Sequence, residues 1–328
     1  MLYFLIAIAL IFDFTNGAND GSSIVATVIS SRAMRPRAVM TMAAIAEFIA
    51  PFLFGVAVAN TVGKGLIDPK AISLTVVTAS EIAALFWNLL TRSLGIPSSS
   101  SHALVGGLLG SSILAEGLKV VYLGGLLKIL FALFITPPLG MVVGYIFMTI
   151  TLRLFQNSGP RITLAFKRMQ ILTAISLALS HGSNDSQKTM GIITLALVAS
   201  GHLTEFSVPF WVVAISAAGI SSGVAVGGWR LIRTVGARIY KIRPVNAFTS
   251  QAASAVVVLG AALLGGPVST SQIISSAVMG SGAAERVKKV HWQVGQEMVV
   301  TWVLTIPLTA IVSALFYLLL RQVTIWIG

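Results

Sequence analysis

The sequence predicts an all-α integral membrane protein: an inverted-topology repeat with broken helices and re-entrant hairpins. Three observations predict it. Hydrophobic residues fill 56% of the 328 positions and charged residues only 10%, far below the roughly one quarter of a soluble domain. Apolar runs long enough to cross the ~30 Å hydrocarbon layer recur along the chain. Two polar motifs each occur twice, in the same order.

The runs are continuously apolar and rich in Ala, Leu, Ile and Gly. They do not alternate residue by residue as barrel strands do, so helices must satisfy the backbone in lipid. The mean hydropathy of +0.91 agrees. The formal net charge is +12. Its Lys and Arg cluster in short loops, which fits the cytoplasmic bias of basic loops and not a nucleic-acid partner. The chain has no Cys, which excludes disulfides and thiolate chemistry. The first 31 residues carry neither a basic n-region nor a small-residue cleavage site, and read as part of the mature fold. No Walker A, HExxH or GxSxG pattern occurs, so neither ATP hydrolysis nor other enzyme chemistry is expected. No cofactor is expected either.

The repeat comes next. "NGAND" at Asn16–Asp20 returns as "HGSND" at His181–Asp185, an offset of 165 residues. "IPSSSSH" at Ile96–His102 returns as "GPVSTSQ" at Gly266–Gln272, with Gly110 and Gly280 in register and Glu81 aligned with Gln251. The expected units are a first membrane repeat at 1–155, a short cytoplasmic linker at 156–168 and a second repeat at 169–328.

Loop charge gives the relative orientation. Ser31–Arg37 holds three Arg, while its counterpart Ser200–Glu205 holds no Lys or Arg. Asn60–Lys70 holds two Lys and Asp68, while its counterpart Arg230–Arg243 holds five basic residues. The basic partner switches sides, so corresponding loops lie on opposite faces. That is the pattern of an inverted repeat. Residues 38–60 then cross once, 71–117 go in and come back, and 120–155 return, with a kink expected at Pro137–Pro138. Both termini are expected outside.

The motifs carry the chemistry. Asn19-Asp20 followed by Gly21-Ser22-Ser23 reads as the cap of a new half-helix, and Asn184-Asp185 likewise. Half-helices are expected over 20–31, 185–199, 98–115 and 268–282. Each would aim free N–H groups and a partial positive charge at an anion. Asp20 and Asp185 would repel that anion unless a cation sits beside them. Oxygen ligands of this kind suit a hard cation such as Na⁺. The expected function is therefore cation-coupled anion symport. Ser98, Ser99, Ser100 and Ser101, with Ser269, Thr270 and Ser271, can donate to an oxyanion without adding net charge.

Candidate Na⁺ ligands are Asp20, Asn19, Asp185, Asn184, Ser101 and Ser271, with Glu47 and Glu81 as weaker members. Lys188 lies one helical turn from Asp185 and can pair with it. Arg92 can attract an anion or sit at an interface. His102 and His181 can move protons, donate or pack. Asp13 and Glu297 receive no role.

"GAND" at Gly17–Asp20, its repeat "GSND" at Gly182–Asp185, and the Pro97–His102 run resemble the inorganic phosphate transporter (PiT) family. The resemblance spans the whole chain. It implies Na⁺- or H⁺-coupled uptake of inorganic phosphate by a multi-pass protein of the plasma (inner) membrane, commonly a homodimer. Asn19, Asp20, Asn184 and Asp185 together with the seven hydroxyl residues would then form the phosphate site. The short linker departs from relatives with a large loop at that place. Na⁺ is the expected coupling ion, since two Asp among hydroxyls suit a fixed alkali cation. The alternatives are a proton-coupled phosphate or sulfate permease, and an anion channel.

Overall fold

The computed structural model describes residues 1–94, 98–159, 161–227, 243–290 and 292–327. Pro97 and nearly all of the Arg230–Arg243 loop lie outside them, as does the Glu297 side chain. The helices are α1 (Leu2–Ser30), α2 (Pro36–Phe54), α3 (Ala57–Asn60), α4 (Leu74–Leu94), α5 (Ser100–Glu116) and α6 (Leu123–Leu154). They continue as α7 (Ile162–Ala199), α8 (Phe210–Val226), α9 (Pro244–Leu263), α10 (Thr270–Arg286) and α11 (Trp292–Ile327). No strand occurs among the described residues, and seven stretches are long and apolar enough to span a membrane. The expected all-α membrane fold is what the chain adopts.

Local chemistry sets the ends. Pro36 and Pro244 open α2 and α9 at the first helical turn, where the missing N–H costs nothing. Ser99 caps α5 and accepts the His102 amide. After α9, Gly265 adopts a φ of +71°, a conformation that suits Gly, and the chain turns into α10.

One expectation fails. Helices α1 and α7 run unbroken through Asn16–Asp20 and His181–Asp185. The half-helices over 20–31 and 185–199 therefore do not exist as separate elements. The hydroxyls that looked like breakers bond back into their own helix. Ser22 donates to the Asn19 carbonyl at 2.5 Å and Ser186 to the Gly182 carbonyl at 2.5 Å, the back-bonding that lets such residues sit inside helices. The glycines serve close packing. A Cβ on Gly17 would lie 2.1 Å from the Ile220 carbonyl oxygen of α8, and one on Gly182 would lie 2.6 Å from that of Glu47 in α2. Helix α6 likewise continues through Pro137 and Pro138.

The two hairpin helices do form, each starting two residues after the expected 98 and 268, α5 at Ser100 and α10 at Thr270. Helix α7 begins at Ile162 and so takes up the second half of the 156–168 stretch.

Packing is exchanged between the halves. Helix α1 lies along α8 as α7 lies along α2, and α5 lies along α11 as α10 lies along α6. A Cβ on Gly110 of α5 would meet the Ala310 carbonyl of α11 at 2.0 Å, and one on Gly280 of α10 would meet the Met141 carbonyl of α6 at 1.9 Å. Helices α1 and α7 cross in antiparallel sense: Asp13 meets Thr189, Asn16 meets Asp185, and Asp20 faces His181. On the outside, Tyr3, Phe131, Leu172 and Ile311 are exposed, as an apolar lipid-facing surface requires.

Candidate functional site

The α1–α7 crossing brings the two motifs together. Asp185, fully buried, is held by three donors. Asn16 reaches its Oδ1 at 3.2 Å, Thr270 of α10 reaches its Oδ2 at 2.8 Å, and the Lys188 ammonium donates to Oδ1.

Lys188 is itself buried at 1% exposure. An ammonium has three N–H donors and no acceptor. Here they meet Asp185, the Ser101 hydroxyl at 2.6 Å and the Val268 carbonyl at 2.8 Å. Ser101 in turn donates to that same carbonyl at 2.7 Å. Ser101 lies at the start of α5 and Val268 just ahead of α10, so the tips of the two hairpins meet on this ammonium.

His181 forms the second hub. Its Nδ1 lies 2.8 Å from Glu47 Oε1, and its Nε2 lies 3.6 Å from Asp185 Oδ2 and 3.9 Å from Asp20 Oδ2. Glu47 and His181 are buried completely, and His181 Nε2 has no hydrogen-bond partner. The carboxylate accepts from Nδ1–H, which leaves Nε2 facing both aspartates. One oxygen from each Asp and one His nitrogen lie within 4.8 Å of one another, a spacing that suits a metal ion.

The other predicted residues divide into two groups. Asn184 donates to the Gly266 carbonyl at 3.0 Å and accepts the Val268 amide at 3.2 Å. Its side chain thus bridges to the α9–α10 turn, with one lone pair of Oδ1 remaining. Ser99 is committed to His102, whose Nδ1 lies 2.8 Å away, and Ser98 accepts the Trp87 indole N–H at 2.8 Å. Thr270 and Ser101 serve Asp185 and Lys188. By contrast, the side chains of Asn19, Ser100, Ser269 and Ser271 make no bond outside their own segments among the described residues, and Asn19, Ser98 and Ser271 are half-buried rather than sealed.

Glu81 is buried, and neither of its carboxylate oxygens has a hydrogen-bond partner. Asp13 accepts from Thr189 at 2.7 Å. Arg92 is exposed, away from these contacts. The Lys188–Asp185 spacing is visible in the sequence, whereas the Ser101 and Val268 oxygens that complete the ammonium's shell are not. Gln187 carries no such signal either, and its Oε1 accepts the Val58 and Ala59 amides at the start of α3. Contacts across 87 or 129 positions leave no local signal.

Charged and ion-coordinating side chains buried among membrane-length helices are costly. Such groups mark ion and substrate pathways in membrane proteins, and a chain with seven membrane-length apolar helices around them is of the membrane-transport class. More narrowly, the chain belongs to the phosphate transporter family, whose model matches residues 16–163 and 155–313. It is 42% identical over 319 residues to a probable low-affinity inorganic phosphate transporter of Rhizobium meliloti, covering 97% of this chain and 96% of that one. A protein of the same description from Bacillus subtilis is 39% identical, covering 97% of each chain. A solved structure described as "The sodium-dependent phosphate transporter" superposes with a TM-score of 0.88 at 25% identity, over 98% of this chain and 99% of that one. These relatives are transporters and not enzymes.

Proposed function

We propose that this protein is a secondary active symporter that carries inorganic phosphate across the plasma membrane with Na⁺. The observation that carries the reading is the meeting of the two hairpin tips beside two buried aspartates. Helices α5 and α10 both start there, so both direct unpaired N–H groups and positive helix ends toward one place. Asn19, Ser98, Ser100, Ser269 and Ser271 supply further polar groups to the phosphate oxygens. Asp20 recruits the cation that offsets the dianion's charge. Each ion alone meets an uncompensated charge, so the two move together.

The exchanged packing and the antiparallel α1–α7 crossing support an inverted repeat, 1–155 against 169–328, with 156–168 as connection. Rocking of one half against the other then alternates access. A homodimer completes the reading.

The description of the structural neighbour supports Na⁺. A second reading, proton coupling, draws on His181, whose Nε2 faces Asp20 and Asp185 with Glu47 behind it. Accumulation of labelled phosphate in proteoliposomes, with sulfate as competitor, tests the reading. Symport predicts uptake above equilibrium, unaffected by excess sulfate. Uptake that stops at equilibrium makes the protein a channel, and equal competition by sulfate removes the substrate assignment.

A further inference from the structure

The repeat implies two cation places, one beside Asp20 and one beside Asp185. They are not alike. Beside Asp185 stand a carboxylate oxygen, the Ser101 hydroxyl and the Val268 carbonyl, converging on one point. Carboxylate, hydroxyl and carbonyl oxygens are the ligands that hard monovalent cations take. The point is filled by Lys188 Nζ, whose three donors all end on these oxygens, leaving none for phosphate.

Among the described residues, no ammonium is ion-paired with Asp20. By the 165-residue offset, Lys188 corresponds to Ser23. By the offset of the second motif, Ser101 corresponds to Ser271. Ser23 and Ser271 are both half-buried, and the Asn19 Oδ1 beside Asp20 is buried without a partner. At the matching positions the Asp20 side therefore carries Ser23 and Ser271 and no lysine, whereas the Asp185 side carries Lys188.

The geometry assigns Lys188 the role of a tethered cation that permanently occupies the second half's coupling-ion place, so that exchangeable cation binds only on the Asp20 side. The inference rests on the cation-coupled reading and deepens it. The transport cycle then carries one exchangeable cation fewer than the two-fold plan of the motifs implies. The tether also fixes a positive charge beside the hairpin tips at every stage of the cycle, whether or not Na⁺ is present.

Removing the ammonium while keeping its cage reopens the place. Lys188→Ala and Lys188→Asn do so; Lys188→Met fills the alkyl volume without charge. Equilibrium binding of radioactive Na⁺ to purified full-length protein reads the result. Expected is one more Na⁺ per chain in K188A and K188N than in the natural chain, none gained in K188M, and loss of the gained ion in K188A/S101A. Uptake in intact cells supplies a readout that needs no purification. There K188N regains phosphate transport as external Na⁺ is raised, with a dependence on Na⁺ steeper by one ion.

An unchanged Na⁺ count in K188A and K188N, or K188N uptake that no Na⁺ concentration restores while the protein is present in the membrane, overturns the tether. The sodium reading fails separately. If the natural chain ignores Na⁺ but K188N acquires a Na⁺ requirement, the tether stands and the Na⁺ assignment of the natural chain falls.

Discussion

The Lys188 ammonium of α7 donates to the Ser101 hydroxyl of α5 at 2.6 Å. This bond ties the centre of a second-half helix to the tip of a first-half hairpin. Val268, at the tip of the other hairpin, accepts from both groups. Any movement that parts the two tips must break or carry this triad, so it lies where alternating access would act.

Replacing Ser101 with Ala removes one acceptor from a buried ammonium and one donor to Val268. An unsatisfied buried polar group costs about 1–3 kcal/mol, more when charged. Ser101→Ala should lower the melting temperature and the rate of phosphate uptake together. Ser101→Thr, which keeps the hydroxyl, should retain most of both.

The two aspartates should respond differently to neutralisation. Asp185→Asn leaves Lys188 without its counter-charge, and breaking a buried pair costs about 3–5 kcal/mol. Asp20→Asn removes no comparable partner, because among the described residues its ionic contact is the longer one to His181, at 3.9 Å. Thermal unfolding in detergent should show D185N strongly destabilised and D20N close to the natural chain. Phosphate accumulation should fall in both.

Glu47 and His181 form a buried pair at 2.8 Å. Glu47→Ala leaves the ring nitrogen unpaired and should destabilise by about 1–3 kcal/mol. Glu47→Gln keeps an acceptor oxygen and should fold nearly normally. Unfolding measurements that rank the two variants equally would remove the pair from the account.

The close helix crossings predict a steric series. A Cβ at Gly110 or Gly280 would overlap a carbonyl oxygen at 2.0 or 1.9 Å, whereas a Cβ at Gly124 of α6 meets nothing within 4 Å. Gly110→Ala and Gly280→Ala should lower stability and yield, by amounts in the ~1–3 kcal/mol range of overpacked cores. Gly124→Ala should be neutral or slightly stabilising, since Ala outranks Gly in helices.

Much of the fold was legible in sequence because membrane helices announce themselves by length and continuous hydrophobicity. The internal pairing of NGAND with HGSND was legible too, and the chain brings the two into contact. The break expected at Gly21 does not occur, and Gly17, Gly21 and Gly182 lie instead at close helix contacts. Between crowded helices a missing Cβ permits contact rather than signalling a break. Ser22 and Ser186 likewise found acceptors one turn back. The bonds of Asn184 to Gly266 and Val268 left no local signal, because those partners are more than 80 residues away. The shell of Lys188 was hidden for the same reason.

Phosphate uptake into proteoliposomes under an imposed Na⁺ gradient without a pH gradient, and under the reverse, tests the central claim most directly. The account predicts that the inward Na⁺ gradient alone drives phosphate above equilibrium, and that D20N abolishes this. Accumulation that follows the pH gradient and ignores Na⁺ would contradict it.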